Sequence, residues 1–248
     1  MKICHPRLLG TLSALAVLLG VVAGQAAWRI RQSVELARQS EPFQTSPAGA
    51  TASLLIVGDS TAVGTGATSP ANSLAGLMAR DLPRLNIVNR ATDGARFADI
   101  ARQLQGTEQF DAVLVLGGGN DVIRLTDKQS LARHIGTVAR LASSRAPLAV
   151  LMPPGNVGNA PFFLPPLSWL MAQRSRALHG FVRQAAADHG ALYVSLYKDK
   201  ANDPFAQRPD ELNARDGLHP SDAGYRLWHD AINAQSALSS RLEAVRPH

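Results

Sequence analysis

From about residue 51 onward, short apolar runs alternate with segments whose apolar residues recur at helical spacing. Apolar runs of strand length are typical of buried strands, whereas a period of about 3.6 residues indicates amphipathic helices. The predicted strands are Ser53–Val57, Leu85–Asn89, Ala112–Leu116, Leu148–Met152 and Ala191–Ser195. The predicted helices are Ser73–Leu82, Phe97–Leu104, Asp127–Ser143, Ser168–His189 and Ser221–Ala237. This alternation favours a three-layer α/β domain with a parallel sheet, in which functional residues follow the carboxyl ends of the strands.

The start of the chain has a different pattern. Lys2 and Arg7 precede an uncharged, mostly apolar stretch from Leu8 to Trp28, and Arg29 follows it directly. A basic head before an apolar run is the layout of an export signal, and the run reaches the roughly 20 residues that span a bilayer. An uncleaved anchor and a cleaved signal both stay open, with a buried soluble helix as the third interpretation. Either export interpretation predicts a domain that is membrane-anchored and faces the periplasm or exterior, or is exported.

These patterns divide the chain into four parts. Residues 1–28 are predicted to be the signal or anchor segment, and residues 29–50, whose second half is rich in Pro, Ser, Thr and Gly, a juxtamembrane linker. The α/β domain is predicted to cover residues 51–240, followed by a tail at 241–248.

Composition and charge narrow the function classes. With 46% hydrophobic and 18% charged residues, the chain can form a globular core. Cys4 is the single cysteine, so an intrachain disulfide, a thiol nucleophile in the domain and a cysteine-based zinc site are all excluded. The formal net charge of +6 comes from scattered arginines without interleaved aromatics, which is compatible with an anionic membrane face but gives little support to nucleic-acid binding.

The first polar block, Gly58-Asp59-Ser60-Thr61, follows the first predicted strand. Ser60 therefore lies at a strand-to-helix turn, where its hydroxyl can enter a cleft and its backbone N–H can face a developing oxyanion. A serine hydroxyl needs a base to become a nucleophile. Capping of the next helix is the alternative role for Ser60.

Two further blocks follow the second and third strands. Gly94, in Asn89-Arg90-Ala91-Thr92-Asp93-Gly94, can offer an unhindered N–H to the same oxyanion, and a turn glycine with positive φ is the alternative. In Gly117-Gly118-Gly119-Asn120-Asp121, the Asn120 amide can donate a hydrogen bond without adding charge. An Asx cap is the alternative for Asn120, and Asp121 is interpreted as a structural residue that holds the loop.

The last block, Asp216-Gly217-Leu218-His219-Pro220, precedes the final predicted helix. A catalytic histidine needs a carboxylate at its second ring nitrogen, and Asp216 can supply it locally to His219. The other histidines lie in the targeting segment or in helical patterns, and no spacing typical of a metal site is present, so no metal or other cofactor is predicted.

Taken together, these four blocks resemble the SGNH, or GDSL-type, hydrolase superfamily over about residues 53–238. The resemblance implies a flavodoxin-like sheet of order 2-1-3-4-5 and metal-independent hydrolysis of esters or thioesters. It implies a triad of Ser60, Asp216 and His219, with an oxyanion hole formed by Ser60, Gly94 and Asn120. Thr61 departs from the family pattern, which more often has leucine at that position.

The substrate is less defined by the sequence. The segment from Pro153 to Leu170 follows the fourth strand, and its Phe162, Phe163 and Trp169 are predicted to form an apolar substrate rim, with packing into the core as the alternative. The predicted function is an esterase for small esters, lipids or acylated envelope glycans. An O-acyltransferase and a non-catalytic carbohydrate- or lipid-binding module are the alternatives, and the oligomeric state stays open.

Overall fold

The computed structural model describes residues 6–245, with side chains described except those of residues 6–19 and 22. Five parallel strands form one sheet in the order β2-β1-β3-β4-β5, which confirms the predicted fold class. The strands are β1 (Ala52–Gly58), β2 (Leu85–Asn89), β3 (Ala112–Leu116), β4 (Leu148–Met152) and β5 (Leu192–Tyr193). The helices are α1 (Pro6–Gln39), α2 (Ser60–Val63), α3 (Leu74–Asp81), α4 (Phe97–Gln103), α5 (Gly119–Ile123), α6 (Lys128–Arg145), α7 (Leu167–Asp188), α8 (Pro204–Gln207), α9 (Pro209–Leu212), α10 (Asp222–Ser236) and α11 (Leu238–Glu243).

Two apolar layers cover the sheet, because the side chains of each strand alternate between its faces. In β1, Leu55 and Val57 enter the first core, beneath α4, α6 and α7, whereas Leu54 and Ile56 enter the second core, beneath α3, α10 and α11. All four side chains have no solvent exposure. Burial of a side chain of this size contributes roughly 1.5–3 kcal/mol, so β1 anchors the polar turn that follows it.

The last strand is shorter than predicted, since β5 contains only Leu192 and Tyr193 instead of residues 191–195. The backbone N–H of Ser195 donates to the Gln235 side chain of α10 rather than to a neighbouring strand. The short helices α2, α5, α8, α9 and α11 were not predicted, because segments of four to six residues carry little helical periodicity.

The N-terminal helix continues to Gln39, well beyond the predicted boundary at residue 28. The rest of the predicted linker lies along the sheet: Thr45 pairs with Ile87 of β2, and Phe43 packs against the second core. Among the residues whose side chains are described, no helix is both long and apolar enough to cross a bilayer. The predicted span from Leu8 to Trp28 lies largely outside those residues.

The C-terminal boundary also differs in detail from the expected one. Helix α11 continues into the predicted tail, and its Leu242 is 2% exposed within the second core. The remaining tail residues 246–248 lie outside the described part of the chain.

Candidate active site

Ser60 begins α2 immediately after β1, at the carboxyl edge of the sheet. Asp59 caps this helix, because its carboxylate accepts from the backbone N–H of Thr61 at 3.0 Å and from the Thr61 hydroxyl at 2.8 Å. Burial raises the pKa of Asp59, and the bonds from Thr61 partly oppose that rise. Gly58 allows the tight exit from the strand, since its φ is +155° and a Cβ there would lie 1.9 Å from the Leu116 carbonyl oxygen.

The His219 ring joins Ser60 to Asp216. Its Nε2 lies 2.9 Å from the Ser60 Oγ, and its Nδ1 lies 2.6 Å from a carboxylate oxygen of Asp216. A carboxylate accepts only, so Nδ1 carries the proton and Nε2 accepts the proton of the Ser60 hydroxyl. Residues far apart in the chain thus form one continuous hydrogen-bonded line.

The loop before α10 holds the Asp216 carboxylate in place. Its second oxygen accepts from the backbone N–H groups of Leu218 at 3.0 Å and His219 at 3.1 Å. Burial alone would raise the pKa of Asp216, but the hydrogen bond and charge of His219, with these two N–H bonds, lower it instead. Asp216 therefore stays negative where it meets the imidazole.

The expected oxyanion donors line the same cleft as Ser60. Gly94 has φ +75° in the turn after β2, and Asn120 lies in the first turn of α5; Ser60, Gly94 and Asn120 all line the same cleft. Asp121 connects the two donor segments, because its carboxylate accepts from the backbone N–H of Phe97, at the start of α4, at 2.9 Å. This agrees with the structural role predicted for Asp121.

A cleft of about 640 Å³ opens over these groups, within the range typical of small-molecule sites. The loop after β4 contributes Pro154, Gly155, Asn156, Val157 and Ala160 to its wall. Predominantly apolar walls around a few convergent polar groups suit a substrate that carries an apolar part next to a polar reacting centre.

The three residues predicted for the substrate rim do not line this cleft. Phe163 is 8% exposed and belongs to the first core, and Phe162 contacts it edge to face at a centroid distance of 4.9 Å. Trp169 is 70% exposed on α7. The aromatic residues therefore pack inward or face solvent, while earlier residues of the same loop contact the cleft.

Sequence reasoning missed other cleft residues. Arg124 lies beside the oxyanion donors, since a Cβ on Gly94 would be 3.2 Å from its guanidinium. Its position three residues after Asp121, still on the carboxyl side of β3, was the available signal. Ser33, Val34 and Ala37 of α1 also line the cleft, and nothing local in the sequence indicates that contact.

In the part of the chain that the structure describes, no group of three or more His, Cys, Asp or Glu side chains is arranged to hold a metal ion. The arrangement around Ser60 instead provides a hydroxyl, a base, a carboxylate and hydrogen-bond donors. These are the components of nucleophilic acyl transfer.

The comparisons with known proteins agree with this chemistry. The model of the GDSL-like lipase/acylhydrolase family matches residues 56–227. No curated protein matches the sequence significantly.

Among solved structures, an alpha/beta hydrolase enzyme from the metagenome of Lake Arreo, Spain, is similar with a TM-score of 0.61 and 23% identity, covering 78% of this chain and 97% of its own. The lipase/acylhydrolase from Enterococcus faecalis has a TM-score of 0.58 and 22% identity, covering 77% and 97%. The psychrotrophic esterase EstA from Pseudoalteromonas sp. has a TM-score of 0.56 and 17% identity, covering 75% and 97%. At these identities the structural likeness concerns the fold.

Proposed function

The chain belongs to the GDSL-like lipase/acylhydrolase family and is an ester-bond hydrolase, and from that premise we propose that it is a serine esterase with Ser60 as nucleophile and His219 as base. The observation that carries this proposal is the bridging position of the His219 ring, 2.6 Å from Asp216 and 2.9 Å from Ser60. The substrates we propose are acyl esters: small esters, lipids or acylated envelope glycans.

In the acylation step, His219 Nε2 accepts the Ser60 proton while the Ser60 oxygen attacks the acyl carbonyl carbon. The resulting imidazolium is stabilised by the Asp216 carboxylate, whose lowered pKa keeps it charged. The imidazolium then gives its proton to the alcohol oxygen, the carbon–oxygen bond breaks, and the alcohol leaves. Ser60 retains the acyl group as an ester.

The same residues release the acyl group. His219 accepts a proton from water as the water oxygen attacks the acyl carbon, and returns that proton to the Ser60 oxygen as its bond to the acyl carbon breaks and the carboxylic acid leaves. In both steps the carbonyl oxygen becomes negative, and the backbone N–H groups of Ser60 and Gly94 and the Asn120 amide would stabilise it. Fixed donors cost no reorganisation as the charge develops, so they lower the barrier selectively.

We further propose that residues 1–28 attach the protein to a membrane or direct its export, so that the domain acts in the periplasm or outside the cell. The support is the basic head and the apolar run from Leu8 to Trp28, followed by Arg29 and Arg31. Trp28 is 54% exposed, as an interfacial anchor requires.

The test is Ser60→Ala in the full chain, with hydrolysis of p-nitrophenyl acetate and labelling by a fluorophosphonate probe as readouts. We expect loss of labelling and a fall in kcat of about 10⁴-fold or more, because the nucleophile is gone. The methyl group of alanine fits the same site, so the circular dichroism spectrum and Tm should stay close to those of the parent.

The matched control is Ser240→Ala, which removes the hydroxyl of an exposed serine on α11. It should label and hydrolyse like the parent chain. Turnover that survives Ser60→Ala, or a probe adduct on another residue, would refute the assignment of Ser60.

A further inference from the structure

The second half of α1 forms part of the cleft wall, although it precedes the residues matched by the family model. Ser33, Val34 and Ala37 lie on one side of this helix, as their spacing of one, three and four residues requires, and they face the cleft. Val34 is 45% exposed, so this wall presents an incompletely covered apolar side chain.

A second part of the cleft wall comes from α10. Leu227, Ala231 and Ala234 line the cleft, and their spacing of four and three residues places them on one face of that helix. Leu196 and Phe205 add apolar surface between the sheet and this face. The two helices thus line a mostly apolar groove, called here the α1–α10 groove, to which Asp230 and Gln235 of α10 add polar groups and which belongs to the same cleft as Ser60 and His219.

We propose that the α1–α10 groove binds the acyl chain of the substrate, and that α1 is a specificity element selecting medium- and long-chain acyl esters. This inference rests on the proposed esterase function. An apolar chain placed in the groove would leave water and contact Val34 and Ala37 of α1 together with Leu227 and Ala231 of α10. Each buried methylene improves binding about fourfold, so a groove of this kind favours longer chains over acetyl.

We infer that the groove binds the acyl chain of the ester and not a long alcohol. Esters that share one alcohol and differ in the acyl chain distinguish these two cases. p-Nitrophenyl acetate and p-nitrophenyl octanoate differ only in the acyl chain. The ratio of their kcat/KM values therefore reports on the acyl site and cancels changes in the amount of active protein.

The first variant is Ala37→Trp in the full chain, which fills the groove from its α1 wall. We expect the octanoate-to-acetate ratio to fall at least about tenfold, because the indole takes the space of several methylenes. The matched control is Arg38→Trp, at the next position of the helix, where the side chain is exposed and does not line the cleft. It should keep the parent ratio.

A second variant, Val34→Asp, keeps the test valid if the bulky residue disturbs folding. The position is exposed enough to accept a charge, and an apolar chain would have to remove water from the carboxylate. The ratio should fall here as well, because the charge disfavours the longer acyl chain of octanoate more than the acetyl group.

The proposal would be overturned by an unchanged octanoate-to-acetate ratio in both variants, whether the two kcat/KM values stay at the parent level or fall by the same factor. A failure of the proposed esterase function gives a different result, since acetate hydrolysis would then survive Ser60→Ala whatever the groove variants do.

Discussion

Two buried histidines, His219 before α10 and His179 within α7, have both ring nitrogens engaged but differ in their partners. His219 contacts Asp216 and Ser60, with 7% of the residue exposed. His179, 5% exposed, contacts the Tyr193 hydroxyl through Nδ1 at 2.6 Å and the Pro154 carbonyl through Nε2 at 2.7 Å. A carbonyl only accepts, so His179 carries its proton on Nε2, whereas His219 carries its proton on Nδ1.

The comparison teaches that the partners, and not burial, equip a histidine for catalysis. Burial lowers the pKa of His179 to about 4, against a smaller opposing effect of the Pro154 carbonyl, so this ring is neutral at pH 7. Among the described residues, neither ring nitrogen of His179 contacts a carboxylate, since one bonds the Tyr193 hydroxyl and the other the Pro154 carbonyl. At His219 the unprotonated Nε2 faces the Ser60 hydroxyl, and the Asp216 carboxylate contacts the protonated Nδ1.

The largest expected effect comes from making His219 resemble His179. In Asp216→Asn the amide can donate to Nδ1, which favours the proton on Nε2 and leaves no acceptor for the Ser60 hydroxyl. We expect kcat for p-nitrophenyl acetate to fall about 10⁴-fold with little change in KM. Steady-state kinetics at pH 7 to 8 measure this directly.

Asp210→Asn is the control for Asp216→Asn, because it neutralises an exposed carboxylate at the start of α9. It should leave kcat within about twofold of the parent value, as expected for a surface site. Near-normal kcat in Asp216→Asn would mean that the carboxylate beside His219 is only structural. The claim that this partner distinguishes His219 from His179 in catalysis would then be wrong.

A smaller effect is expected at the oxyanion hole, where Asn120 and Asp121 show a similar contrast. Asn120 lines the cleft, whereas the Asp121 carboxylate bonds the protein backbone. Asn120→Ala should lower kcat about 10²–10³-fold, because one fixed donor to the oxyanion is lost. The fall should appear in kcat rather than KM, since the charge exists only in the transition state.

Asp121→Asn sharpens this result. Asp121 accepts from the Phe97 N–H and lies fully buried, and burial raises its pKa. An asparagine oxygen can still accept that bond, so we expect a milder loss of activity than in Asn120→Ala. If the order of the two variants were reversed, the donor role of Asn120 would be wrong.

The same contrast explains how far the sequence could predict this molecule. Asp216 and His219 are three residues apart in a loop rich in glycine and proline, so their partnership is visible locally. His179 could be set aside because it lies in a helical pattern, and its structural contacts agree with that choice. The strands β1 to β4 were predicted to within one residue at each end because they are bounded apolar runs.

What the sequence did not reveal depends on contacts between distant segments. Phe163 turns from an irregular loop into the first core, whereas Trp169 lies on the solvent-facing side of the first turn of α7, and composition encodes neither direction. Val34 of α1 and Leu227 of α10 line the same cleft, although the individual patterns of the two helices contain no sign of each other.

The last prediction separates stability from catalysis at His179. Unfolded, this histidine titrates near 6.5, and in the native protein near 4, so between these pH values the unfolded chain binds more protons. The neutral ring therefore contributes stability that is fully present above pH 6.5 and is lost as the pH falls towards 4. The contribution is on the order of 3 kcal/mol, from about 1.4 kcal/mol per unit of pKa difference.

In His179→Gln the titrating group is absent, while a side-chain amide can still bond the Pro154 carbonyl. Urea unfolding of both chains should be measured at pH 7, 6, 5 and 4. As the pH falls, the free energy of unfolding of the parent should decrease relative to that of His179→Gln, by on the order of 3 kcal/mol in total. The carboxyl groups with raised pKa are common to both chains and cancel in the difference. Acetate hydrolysis at pH 7 should change only a few-fold, because His179 reaches the cleft only through Pro154. A pH-independent difference, or a loss of activity comparable to that of Asp216→Asn, would contradict the division of roles between the two histidines.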